Sequence, residues 1–155
     1  MARIEVGKKA PAFSLKDQHG TVHKLSAYAG RPVVLYFYPK DDTSGCTKEA
    51  CAFEESLPDF GKSEAVVLGV SILDEASKAK FAKKYGLTFP LLADADHAVC
   101  EKYGVWVEKS MYGRKYMGIA RVTYLIGGDG KVARRWDDVK VEGHADEVLA
   151  AVRAI

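Results

Sequence analysis

Three of the 155 residues are cysteines, Cys46, Cys51 and Cys100, and the first two stand close together just after a turn-rich stretch. Cysteine does nucleophilic and redox chemistry as the thiolate, an ion that the free amides and positive end of a helix stabilise. Cys46 falls where such an end is expected, because residues 39–44 carry turn residues between an apolar run and a helical pattern. Sites in open α/β sheets gather where strands end and helices begin. Thr43, three residues ahead of Cys46, could aim its hydroxyl into the same helix-start cavity and hydrogen-bond an oxygen of a bound reactant. Pro39 offers a rigid wall and withholds an amide hydrogen. Taken alone, the same loop also reads as an ordinary strand-to-helix connection.

The elements that must position these residues follow from hydrophobic periodicity. Residues 32–38 are continuously apolar and rich in β-branched and aromatic types, as in a central strand covered on both faces. After the turn, Cys46, Ala50, Phe53, Leu57 and Phe60 share one helical face. Pro58 interrupts that pattern, which predicts a first helix of about ten residues stopping before Leu57 and another turn restarting there. A helix that short is marginal by itself. Residues 66–72 read as a second buried strand, and Asp74 caps a helix running to Tyr85 and closed by Gly86. A further helix is expected over 96–103, ending at Gly104. Residues 13–16 and 22–25 form an N-terminal hairpin, 122–126 and 131–136 pair around a glycine-rich turn, and Ala145, Val148, Leu149 and Val152 mark a closing amphipathic helix. The order describes an α/β chain whose mixed central sheet has helices on both faces, as in thioredoxin-like folds.

At this length a single domain over 1–155 is expected, and the 48% hydrophobic content supports a packed core in place of disorder. Lys and Arg total 23 against 21 Asp and Glu, so the net charge of +2 gives no electrostatic reason to expect nucleic acid or an anionic membrane as a partner. No apolar run is long enough for a signal peptide or a membrane span, and a cytoplasmic location is expected. In a reducing compartment the three cysteines point to catalytic, redox or metal roles before structural staples. His19, His23, His97 and His144 show no ligand or triad spacing and read as surface or hairpin residues. The run 127–131 lacks P-loop spacing and reads as a turn.

The run Pro39-Lys40-Asp41-Asp42-Thr43-Ser44-Gly45-Cys46-Thr47-Lys48-Glu49-Ala50-Cys51 resembles the active-site loop of peroxiredoxins, with most similarity to the bacterioferritin comigratory protein subfamily, also called peroxiredoxin Q. The resemblance continues through Leu68-Gly69-Val70-Ser71, Leu91-Leu92-Ala93-Asp94, Tyr103-Gly104-Val105-Trp106, Met111-Tyr112-Gly113 and Gly143-His144-Ala145-Asp146-Glu147-Val148. It implies a thiol-dependent peroxidase acting on hydrogen peroxide and organic hydroperoxides. Cys46 would be the peroxidatic thiol, Thr43 the hydroxyl, Pro39 the shielding proline and Arg121 a guanidinium brought beside the sulfur. That charge would hold the thiolate and stabilise the leaving oxygen. Without the resemblance, Arg121 reads as a snorkelling strand-end residue. Glu49 also matches the subfamily and could pair with Arg121 or orient the loop, although it reads equally well as a surface carboxylate. No cofactor or metal is implied, since sulfur performs the redox chemistry itself. Thioredoxin or a similar dithiol is the implied reductant, a monomer is preferred to a dimer, and residues 106–117 could line the pocket beside Cys46.

The resemblance also implies that Cys51 resolves the sulfenic acid formed on Cys46 as a disulfide. Five residues along an intact helix give a rise of about 7.5 Å and place the α-carbons roughly 8 to 9 Å apart, whereas a disulfide needs about 7 Å or less. The helix must therefore unwind locally, which its expected shortness would make inexpensive. Opening would expose the disulfide to reductant, and slow opening would leave time for overoxidation to sulfinic acid. Cys100 reads most simply as a buried small hydrophobe, with an alternative resolving role open. Two other readings compete. A thioredoxin-like disulfide oxidoreductase would favour a Cys-x-x-Cys pair, where four residues intervene here, and a zinc module would use Cys46, Cys51, Cys100 and His97 but lacks a second close cysteine pair.

Overall fold

The computed structural model describes residues 2–155. In chain order its elements are β1 (Ser14–Lys16), β2 (Val22–Lys24), a 3-10 turn (Leu25–Tyr28), β3 (Val33–Phe37), α1 (Ser44–Lys62), β4 (Val66–Ser71), α2 (Glu75–Tyr85), β5 (Leu91–Ala93), α3 (Ala98–Lys102), β6 (Trp106–Met111), β7 (Arg114–Ile119), β8 (Val122–Ile126), β9 (Val132–Trp136) and α4 (His144–Arg153). Seven strands form one sheet in the order β2-β1-β5-β4-β3-β8-β9, and β6 pairs with β7 separately. The ladders β3 to β4 and β4 to β5 are parallel, joined by α1 and α2, while the others in this sheet are antiparallel.

Every residue of β3 is buried. Its side chains alternate: Val34 and Tyr36 enter one core, and Val33, Leu35 and Phe37 enter the other. A strand covered on both faces has no solvent side, which is why this run carries no charged residue. Phe53 and Phe60 of α1, Phe81 of α2 and Val148 and Val152 of α4 fill the first core. Phe13, Val99 and Cys100 of α3, and Tyr103 fill the second. The mixed sheet, its helices on both faces and the N-terminal hairpin thus match expectation. Gly69 of β4 has a specific reason: a Cβ there would lie 2.9 Å from the Tyr36 ring, which stacks on Phe53 with centroids 4.7 Å apart.

The main correction concerns α1. It runs unbroken for 19 residues with Pro58 inside it, where a stop before Leu57 was expected. Phe53 and Phe60 lie two turns apart on the same face, both fully buried, and hold the helix axis on either side of the proline. Their burial offsets the roughly 3 kcal/mol that an interior proline costs, and Pro58 itself is exposed. The helix expected over 96–103 is shorter, because Asp94 accepts the amides of Val99 (3.2 Å) and Cys100 (2.8 Å) and so closes the first turn of α3 there. β5 and the β6–β7 hairpin went unforeseen; the one is three residues long and the other largely exposed and without clean alternation.

His144, expected at the surface or in a hairpin, is buried, with Nε2 2.8 Å from Thr123 Oγ1 and its ring edge-on to Phe53 and Trp136. His23 does lie in the N-terminal hairpin, bonded to Asp17 Oδ2 at 2.7 Å and Tyr28 Oη at 2.5 Å. Asp74 caps α2 by accepting the Ser77 amide at 2.9 Å, and Gly86 ends it with φ +65°, both as expected. No helix among the described residues is long and apolar enough to cross a membrane.

Candidate active site

β3 ends at Phe37, and the chain crosses the C-terminal edge of the sheet through residues 38–43 before entering α1. Thr43 is the N-cap residue in extended conformation, but its side chain makes no cap bond; its hydroxyl donates instead to the Lys40 carbonyl at 3.2 Å, and the residue is exposed. The hydroxyl expected to face the helix-start cavity is thus turned to the loop. The first turn of α1 also lacks an acidic residue. The positive end of α1 therefore meets no competing carboxylate in its own first turn.

Cys46 sits in that first turn with 1% of its surface exposed. Arg121, just before β8, donates from Nη2 to Cys46 Sγ at 3.3 Å and from Nη1 to Glu49 Oε1 at 2.8 Å. One guanidinium thereby bridges the thiol and a buried carboxylate. Gly45 eases the approach, since a Cβ there would lie a tight 3.3 Å from Nη2. Glu49 is 2% exposed, so the surface alternative falls away. Burial pushes its carboxyl up to about 7, against the pull of the adjacent Arg121. Its Oε2 and the Tyr36 hydroxyl are buried without hydrogen-bond partners.

Pro39 is half-buried where the loop leaves β3. Cys51 lies further along α1, partly buried, and its thiol is raised by burial and then by Glu55 and Glu54. All three cysteines are free. Cys100 belongs to the opposite core, fully buried, and burial and then Asp94 raise its thiol strongly. His97 stacks on Trp106 at 4.2 Å. The four zinc-module residues are therefore not brought together, and among the described residues no cluster of three or more acidic, histidine or cysteine side chains has metal-binding geometry.

One contributor escaped sequence reasoning as an individual residue. Lys109 of β6 lies across Gly118, where a Cβ would come 3.3 Å from its Cδ. Burial and then the like charge of Arg121 lower its ammonium, against the pull of Cys46, so a charge on the β6–β7 hairpin is felt at the site. No local motif marks it, because its position depends on how that hairpin folds back. Met111, Tyr112, Tyr116 and Met117, from the stretch expected to line a pocket, are exposed.

A buried thiol joined through one guanidinium to a carboxylate suits attack on an electrophile whose leaving group is an oxyanion. Residues 6–135 match the AhpC/TSA family. The chain belongs to the peroxiredoxins of that family. Peroxiredoxin Bcp of Bacillus subtilis is 45% identical over 150 residues, covering 97% of this chain and 96% of that protein. Peroxiredoxin Bcp of Escherichia coli is 44% identical over 149 residues, covering 96% of each. The structure of the Xanthomonas campestris bacterioferritin comigratory protein, described in terms of alkyl peroxide reduction, superposes with a TM-score of 0.90 at 44% identity, covering 97% of this chain and 98% of that one. The fold is thioredoxin-like, and this peroxiredoxin is a thiol peroxidase of the Bcp/PrxQ type.

Proposed function

We propose that this peroxiredoxin reduces hydrogen peroxide and organic hydroperoxides through Cys46, with Cys51 as the resolving thiol and thioredoxin or a similar dithiol as the reductant. The observation that carries the reading is Arg121 Nη2 at 3.3 Å from Cys46 Sγ at the start of the helix that also holds Cys51. The Cys46 thiolate attacks one peroxide oxygen, the O–O bond breaks, and the departing hydroxide or alkoxide takes a proton to leave as water or alcohol. Cys46 is then a sulfenic acid. Arg121 stabilises the charge on sulfur and then on the leaving oxygen. Pro39 walls the thiol, and rotation of Thr43 away from Lys40 would offer its hydroxyl to the bound peroxide. Glu49 supports by fixing the guanidinium.

The Cys51 thiol then displaces hydroxide from the sulfenic acid, giving a Cys46–Cys51 disulfide and water. Because α1 is continuous, its start must open for this bond to form. The uncapped first turn is where opening costs least. The alkyl peroxide reduction activity of the Xanthomonas campestris protein supports organic hydroperoxides among the substrates. The chain would act as one cytoplasmic domain, monomeric in solution.

A thioredoxin-coupled peroxide-consumption assay on wild type, Cys46→Ser, Cys51→Ser and Cys100→Ser tests the reading. Cys46→Ser should abolish turnover, Cys51→Ser should permit one reaction and then stall, and Cys100→Ser should turn over as wild type. Loss of recycling in Cys100→Ser instead would reassign the resolving thiol.

A further inference from the structure

Lys78 of α2 is a lysine with no solvent exposure, and nothing in the reaction above uses it. Its ammonium donates to Ser71 Oγ at 2.5 Å, to Tyr38 Oη at 3.3 Å, and to Asp41 Oδ1 and Oδ2 at 3.3 and 3.4 Å. Tyr38 Oη in turn donates to Asp41 Oδ1 at 2.5 Å, and Ser77 Oγ to Asp41 Oδ2 at 2.7 Å. A buried ammonium and a buried carboxylate are tolerated only when paired and hydrogen-bonded, and here both are. The network ties the ends of β3 and β4 to α2, and its acceptor is in the loop between Pro39 and Thr43.

The next residue repeats the arrangement at the surface. Asp42 has φ +58° and receives Lys84 Nζ at 2.9 Å and Tyr85 Oη at 2.5 Å. Ser77, Lys78, Lys84 and Tyr85 are spaced i, i+1, i+7 and i+8, which places them on one stripe of α2 two turns apart. A single helix face thus grips two consecutive carboxylates of the loop that leads into Cys46. Asp42 is held in a left-handed conformation that a free loop would leave readily.

We propose that Lys78 is a positioning residue: through Asp41, and seconded by Lys84 and Tyr85 on Asp42, it latches the 39–43 loop to α2 and sets how often the Cys46 turn opens. Closed, the latch keeps Pro39, Thr43 and the start of α1 in the arrangement that reacts with peroxide. Released, it frees the first turn to unwind toward Cys51. The consequence for recycling rests on the local-unwinding step proposed above; the latch itself does not.

Hydrogen–deuterium exchange followed by mass spectrometry on the reduced protein tests this without peroxide or disulfide, so its result stands apart from the fate of the Cys46–Cys51 reading. Asp41→Asn/Lys78→Met removes both buried charges together, and Lys84→Met and Asp42→Asn release only the exposed arm. Exchange across residues 40–51 should rise about fivefold in the double variant and about twofold in the surface variants, while α4 exchanges as in wild type. The single-turnover rate of Cys46 with hydrogen peroxide should fall in the same order. A merely structural role would speed α4 along with the loop, and that result, or unchanged exchange over 40–51, would overturn the proposal. If the double variant does not fold, the two surface variants decide it by the same criterion.

Discussion

Arg121 reaches the sulfur and the carboxylate at once. It reaches Cys46 and Glu49 with separate nitrogens, and its side chain is only 19% exposed, so water screens it weakly. Arg121→Gln keeps some hydrogen bonding but removes the charge. The second-order rate constant with hydrogen peroxide should fall about a hundredfold, measured by stopped-flow, with far-ultraviolet circular dichroism unchanged. A loss below threefold would mean that the helix end alone stabilises the transition state. Lysine would not substitute, because one ammonium cannot span both partners with the fixed fork of a guanidinium.

At the scale of elements, α1 carries Cys46, Cys51 and a proline in one unbroken rod. Pro58 cannot donate to the Glu54 carbonyl, so the ladder lacks one bond there, and the burial of Phe53 and Phe60 offsets that loss. Pro58→Ala should restore that bond and stabilise the protein by about 1 to 2 kcal/mol, part of the gain being cancelled by the added freedom of the unfolded chain. Urea unfolding measures it, and a destabilised variant would show that the proline ring itself is required by its surroundings. An unbroken α1 also moves the question of opening from helix length to the loop that precedes it, where α2 holds Asp41 and Asp42.

For the whole molecule, two buried groups on one side of the sheet pull stability in opposite directions with pH. Burial raises the Glu49 carboxyl to about 7 against Arg121, so the folded state binds a proton the unfolded state has released, and this group lowers stability as pH rises from about 4.3 to 7. Burial lowers the His144 imidazole, against Glu147, so the folded state resists a proton the unfolded state accepts, and stability from this group is lost as pH falls below about 6.5. Urea titrations at several pH values should show Glu49→Gln gaining on wild type as pH rises from 5 to 7. His144→Gln should gain as pH falls over the same range. Parallel curves for either variant would remove that group from the linkage.

Local signals hold at the all-buried β3, the Asp74 and Gly86 boundaries of α2, the β1–β2 and β8–β9 hairpins, and Cys46 at a strand-to-helix junction. These follow from periodicity, capping and turn chemistry within a few residues, where the chain's own neighbours dominate. The Pro58 break failed because two aromatic side chains packed in the core outweighed a local rule, and His144 failed because burial depends on what covers it. Arg121 at Cys46, 75 positions away, was implied by the resemblance and marked by no local pattern, while Lys78 at Asp41, 37 positions away, follows only once separate elements pack. Residue types and spacing determined that Cys46 stands at a strand-to-helix junction. Tertiary structure decided which charges surround it and what holds its loop, because those contacts join segments that no local interaction connects.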